Sequence, residues 1–349
     1  MNDMSGLHTQ KAQMTETKDW LRVLAKYRQP NKWRSIFELT ITLVGFMGCW
    51  ALAWASISFS YFLTGLLGVL GGGFLVRLFT LQHDCGHGSL FASRTANDWV
   101  GRCLGVLTLT PYALWRRTHS IHHSGSGNLE KRGVGDIHTM TVEEYNAETK
   151  FGRLMYRLYR NPVTIFVIGP IYIFGIQQRL PIGMMKAGIK YWISTMGTTA
   201  MMLITYAVLI YLIGFWQFFA VFGITSFTAA AAGMWLFYVQ HQFEETHWDQ
   251  PEDWDMHDSA LYGSSHYVLP KPFQWISGNI GIHHVHHLYS RIPFYRLPEV
   301  IRDHPVLGEI KRLTFWESLK CANLHLWDET SRTLMTFKQA KMVKVKVKA

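Results

Sequence analysis

Tyr191–Gln240 reads YWISTMGTTAMMLITYAVLIYLIGFWQFFAVFGITSFTAAAAGMWLFYVQ, a stretch without a single charged residue. As one helix it would measure about 75 Å, against a hydrocarbon core of roughly 30 Å, so it must fold back on itself. Gly214 marks the turn, and helices are predicted over 191–213 and 215–240. Leu39–Val76 is equally free of charge, and predicts helices over 36–58 and 61–82 that turn at Ser58-Phe59-Ser60. The expected fold is an all-α integral membrane protein with four transmembrane helices in two hairpins. Residues 83–190 and 241–349 are left to form a helical cap.

Composition agrees with a bilayer. Of 349 residues 48% are apolar and only 17% charged, where a soluble chain carries about 25% charged residues. The aromatic load of 14 Trp, 15 Tyr and 21 Phe excludes a disordered chain, and four widely spaced cysteines exclude a disulfide scaffold. Neither hairpin turn carries Lys or Arg, whereas residues 1–35 carry seven, so both termini and the cap are expected on the cytoplasmic side. Three segments follow: 1–35 with Trp20, Val23, Leu24 and Tyr27 on one face of a possible interfacial helix, a single membrane domain over 36–340, and a basic tail over 341–349. Stretches 99–115 and 163–176 are apolar but are interrupted by Arg102 and Pro111 and by Gly169-Pro170, which suits membrane-surface or re-entrant pieces. A net charge of +10 fits anionic lipid or an acidic protein partner, and no nucleic acid is expected.

The 17 histidines are concentrated in His83-Asp84-Cys85-Gly86-His87, His119-Ser120-Ile121-His122-His123 and His283-His284-Val285-His286-His287. Helix neighbours lie three and four residues apart, so His83 with His87, His119 with His122 and His123, and His283 with His286 and His287 form convergent sets. Neutral imidazole is the commonest metal ligand. These eight nitrogens exceed what one tetrahedral ion accepts, so two metals are expected, with His241 at the end of the fourth helix as a ninth ligand. Iron suits imidazole ligation and oxygen chemistry, while ligand type alone leaves zinc and copper open. His247, His257, His266 and His284 are weaker candidates, His284 pointing in a different helical direction. Asp84, Asn128, Asp136, Glu244, Glu245 and Asn279 are candidate acceptors for ring N–H groups. Trp115-Arg116-Arg117 either lines the site or meets lipid headgroups.

In these boxes, their order and their sidedness the chain resembles the membrane-bound fatty acid desaturases, over about residues 36 to 300. Three residues separate His83 from His87, which is similar to the acyl-lipid delta-12 and omega-3 branch; Gly86, Gly88 and Ser89 extend the likeness. The stearoyl-type acyl-CoA branch has a first box one residue longer, and front-end desaturases usually carry Gln where this chain has His283. The resemblance implies two irons, O2 as co-substrate and an external electron donor acting on a membrane lipid or acyl substrate. No G-x-G-x-x-G fingerprint follows a strand, and Gly71-Gly72-Gly73 lies inside a predicted span as a packing feature. Ferredoxin or a similar acidic donor would complement the basic cytoplasmic face.

Related boxes also serve alkane, sterol or carotenoid hydroxylases and ketolases, and the HDCGH box and the overall length favour desaturation over these. A His-rich metal transporter would need ionisable groups near mid-membrane, and the two uncharged runs contain no histidine.

Overall fold

The computed structural model describes residues 17–343. Residues 1–16 and most of the expected basic tail, 344–349, lie outside the described residues. Eight helices carry the architecture: α1 (Thr17–Leu24), α2 (Lys32–Ser56), α3 (Tyr61–His87), α4 (Arg94–Leu107), α5 (Tyr112–Gly125), α6 (Ile189–Ile213), α7 (Phe215–His241) and α8 (His283–Leu288). Among the described residues four helices, α2, α3, α6 and α7, are long and apolar enough to cross a membrane.

Local chemistry sets their ends. Asn31 opens α2 by accepting from Arg34 N–H at 3.0 Å, and Ser60 opens α3 by accepting from Leu63 N–H at 3.2 Å. Ser56 Oγ and Thr64 Oγ1 bond across the intervening turn at 2.8 Å. Gly214 separates α6 from α7 at φ +93°, a conformation that glycine adopts without strain. α3 continues past its predicted end at residue 82 to His87, where Gly88 at φ +68° caps it.

α3 is the hub, packed against α2, α4 and α7. Two glycines set how closely α7 approaches. A β-carbon on Gly68 would lie 2.8 Å from Ile224 Cγ2, and one on Gly72 would lie 2.7 Å from Thr228 Cβ. The predicted packing role of the glycine run therefore holds. α6 turns Ile193, Leu203, Ile204 and Tyr211 outward, an apolar surface suited to lipid rather than water.

One charge pair is buried between the first two long helices. The Arg77 guanidinium on α3 donates to Glu38 of α2, to Thr42 Oγ1 and to the Trp275 carbonyl, and it stacks 4.0 Å from the Trp275 ring. Arg34 also reaches Glu38, at 2.6 Å. These bonds tie two long helices to the segment leading into the third histidine box.

Above the four helices, short helices and two small sheets form a cap. Met140–Thr141 (β1), Leu326–Asp328 (β4) and Thr333–Met335 (β5) make a three-stranded sheet, and His266–Val268 (β2) pairs in parallel with Arg312–Thr314 (β3). The chain is thus mainly helical rather than purely so, because strands of two or three residues pin its C-terminal third to the cap. Trp20, Leu24 and Tyr27 of α1 are buried with Leu261, Val285 and Leu288, so this apolar face packs on the protein itself, behind α8. α4 covers part of the 99–115 stretch with 14 residues, about 21 Å and too short to span. The 163–176 stretch forms π-helical turns at Thr164–Ile168 and Ile171–Ile176, broken around Pro170, which has no N–H to donate.

Replacing Glu38 with Leu leaves Arg77 buried without its carboxylate and is expected to cost about 3–5 kcal/mol. Thermal unfolding in detergent should show the loss, and Arg77→Met in the same chain should recover much of it. A double variant as unstable as Glu38→Leu alone would contradict this.

Candidate metal centre

Four helices converge on one point in the cap. α3 brings His83 and His87 one turn apart, α5 brings His119, His122 and His123, α7 ends on His241, and α8 consists largely of the third box. Helical spacing sorts them into two groups. His83, His87, His119, His123 and His286 form the first, and His122, His241, His283 and His287 the second; within each, one nitrogen per residue lies within 4.8 Å of all the others. The i, i+4 pair His119/His123 faces the first group while His122 faces the second. α8 divides in the opposite sense, with His286 in the first group and His283/His287 in the second. All nine predicted ligands fall in these groups. The groups touch, since the His123 and His287 rings stack at 4.0 Å between centroids.

The nitrogens are spaced as ligands of a shared cation. His119 Nε2 lies 3.0 Å from both His87 Nε2 and His123 Nε2, and His123 Nε2 lies 3.1 Å from His286 Nε2. In the second group His241 Nε2 lies 3.1 Å from His122 Nε2 and 3.0 Å from His283 Nε2. A neutral imidazole has one N–H, so such chains of close nitrogens leave lone pairs facing one another. Two nitrogens at about 2.1 Å from one ion and at right angles stand about 3 Å apart. His287 Nε2 is buried with no hydrogen-bond partner, as a metal ligand would be. His241 Nδ1 lies 3.3 Å from the Gly263 carbonyl, to which it donates when Nε2 carries the lone pair.

Electrostatics keep the imidazoles neutral. Burial, reinforced by neighbouring imidazoles, holds His119, His122, His123, His283, His286 and His287 well below the usual histidine range. The neutral form is the one that binds metal. The second group is fully buried, whereas His87, His119 and His123 of the first are only half-buried.

The weaker candidates stay outside. His284 is buried but directs Nε2 to the Leu307 carbonyl at 2.7 Å, and burial pushes it down to about 3. His266 Nδ1 meets the Gly308 carbonyl at 2.6 Å, His247 pairs with Asp249 at 2.6 Å, and His257 joins neither group. The expected carboxylate and amide acceptors have other partners. Asp84 accepts from Phe294 N–H at 2.7 Å and stays 3.6 Å from His83 Nδ1. Asp136 accepts from Ile137 N–H, Asn128 from Glu130 N–H, and Asn279 donates to the Phe294 carbonyl. Glu245 pairs with Lys311 at 3.5 Å, and the Glu244 carbonyl accepts from Leu334 N–H.

Two aromatic residues against the histidines were not singled out from the sequence. Phe237, one turn before His241, packs 5.4 Å from it and 5.2 Å from His122. Trp115, open to two readings in the sequence, stacks on His119 at 4.6 Å with planes 16° apart and meets Phe79 edge-on. Gly86 makes room for that indole, because a β-carbon there would lie 2.7 Å from Trp115 Cζ3. Arg116 turns away to Asp98 at 2.8 Å.

A cavity of about 390 Å³ runs beneath this centre and is lined by Trp115, Phe237 and, from the two groups, His83, His119 and His283. Its walls are otherwise mostly apolar, from Leu75, Val76 and Phe79 of α3 and Ala229, Ala230 and Gly233 of α7.

Residues 60–317 match the fatty acid desaturase family. The chain is 40% identical over 328 residues to a fatty acid desaturase of Bacillus subtilis, covering 94% of this chain and 93% of that one. The chain belongs to the fatty acid desaturase family. It is also similar to an sn-1 acyl-lipid omega-3 desaturase (ferredoxin) of Synechocystis, 29% identical over 81% of this chain and 79% of the relative. An endoplasmic reticulum omega-3 fatty acid desaturase of Vigna radiata is 31% identical over 75% and 70%. As a desaturase the chain is an oxidoreductase of lipid metabolism, and its four apolar helices make it a membrane protein.

Trp115→Ala removes the ring that orients His119, and turnover should fall about 10- to 100-fold, the usual cost of losing a group that orients a ligand. Trp115→Phe should retain most activity. Gly86→Ala, which displaces the indole, should reproduce the loss, and adding Trp115→Phe to it should restore product. Full activity in Gly86→Ala would rule this out.

Proposed function

We propose that this chain introduces a double bond into an acyl chain carried on a membrane lipid, using two irons, one held by each histidine group. The observation that carries the reading is the apolar cavity whose wall includes His83 and His119 of one group and His283 of the other. An unactivated methylene offers no acid or electrophile to ordinary side chains, so a cofactor must carry the hard step. Two irons bound there supply the activation of O2 and the removal of two hydrogens from adjacent carbons.

The protein's own contribution is placement. His83, His87, His119, His123 and His286 hold one iron, and His122, His241, His283 and His287 the other. Iron fits a donor set of imidazoles without carboxylate or thiolate, and the relatives' desaturase names favour it over zinc. Trp115 and Phe237 keep the rings oriented and the cavity walls dry. A misplacement of about 1 Å at the reacting carbon can cost on the order of 100-fold, so a rigid wall matters.

In this reading residues 36–340 form one domain whose four spans make two hairpins, with the cap and both termini in the cytoplasm, as the placement of Lys and Arg supports. Electrons come from another protein. Ferredoxin is named for the Synechocystis relative, and the net charge of +10 suits an acidic donor.

The test is the fatty acid methyl ester profile, with double-bond positions, of membranes from a host that co-expresses the chain with ferredoxin and its reductase, beside His286→Ala. A new unsaturated species should appear with the parent chain only, and His284→Ala should retain activity. Oxygenated products in place of unsaturated ones, or equal profiles from parent and His286→Ala, would overturn the reading.

A further inference from the structure

α3 and α7 run in the same direction, each ending in histidines at the cap. Toward their other ends they touch. Gly68 and Gly72 of α3 lie against Ile224, Thr225 and Thr228 of α7, with no room for a β-carbon on either glycine. Nearer the histidines the same two helices part around the cavity. There α7 presents Ser226, Ala229, Ala230, Gly233 and Phe237 on one face, and α3 presents Leu75, Val76 and Phe79. The α7 face is built of small side chains until Phe237. A β-carbon on Gly233 would meet nothing within 4 Å.

The cavity is therefore closed below by glycine-mediated helix contact, and its opposite end is bounded by exposed Gly133 and Gly135 and half-buried Asp136. Gly233 lies eight residues before His241, about 12 Å along the helix, and Ser226 fifteen residues before it, about 22 Å. The apolar lower part would leave an ester or carboxyl without partners, a burial that costs several kcal/mol. Only the hydrocarbon end of a substrate fits there.

We propose that this lower end receives the methyl terminus of the acyl chain, and that Ser226, Ala230 and Gly233 set the longest chain the enzyme accepts. The inference rests on the desaturase reading. Gly233, nearest the histidines, acts on shorter chains than Ser226 does. A leucine at Gly233 shortens the usable space from the cap side of the pocket, and one at Ser226 shortens it only at the floor.

The experiment expresses the full chain, Gly233→Leu and Ser226→Leu in a host supplied with tetradecanoyl, hexadecanoyl and octadecanoyl chains, and reads unsaturated products at each length together with the iron content of the purified proteins. Gly233→Leu should lose octadecenoyl product by more than about tenfold relative to tetradecenoyl product, the penalty typical of a misfitting hydrocarbon pocket. Ser226→Leu should show a smaller shift in the same direction, both variants keeping their iron. An unchanged length distribution in both variants, or equal loss at every length with iron retained, would overturn the inference. If the parent chain itself makes no unsaturated product, the desaturase reading fails instead.

Discussion

Ring nitrogens held 3 Å from other ring nitrogens repel unless something positive lies between them. His119 Nε2 faces two such neighbours and His241 Nε2 two more. Much of the surrounding structure supplies the elements that hold this crowding in place. The glycine contacts that set α3 against α7 bring His83 and His241 to the same depth. α1 buries Trp20, Leu24 and Tyr27 behind α8 and so backs the third box. The Arg77–Glu38 pair ties the first two long helices to the segment that leads into that box. Burial keeps the cap histidines neutral, which is the state in which a metal can replace the repulsion with bonds.

The long helices were legible because absence of charge over a bilayer's thickness leaves few alternatives. The histidines were legible because i, i+3 and i+4 spacing aligns side chains on a helix whatever the tertiary fold. His241 was reached from depth alone, as the residue ending the fourth span beside His83. Spacing also separates His284 from its neighbours, and in the fold it turns to the Leu307 carbonyl.

What could not be read depends on contacts between segments distant in sequence. The carbonyl beside His241 belongs to Gly263, a backbone group with no signature, while the carboxylates and amides nominated for such a role bond to the backbone or to cations elsewhere. The pairing of Gly86 with Trp115 joins the first box to the helix of the second. Either residue alone reads as loop-like or interfacial. The small sheets escape because strands of two or three residues carry no period. The partition of nine histidines into five and four follows from the relative rotation of α5 and α8, which spacing within either helix does not determine.

Metal analysis of the purified, iron-supplied chain beside His241→Ala is the most direct check on two adjoining ion sites. Two irons per chain are expected in the parent and about one in His241→Ala, because that residue belongs to the four-histidine group only. A parent that binds one iron or none, or a His241→Ala chain that holds neither fewer irons nor weaker ones, would contradict it.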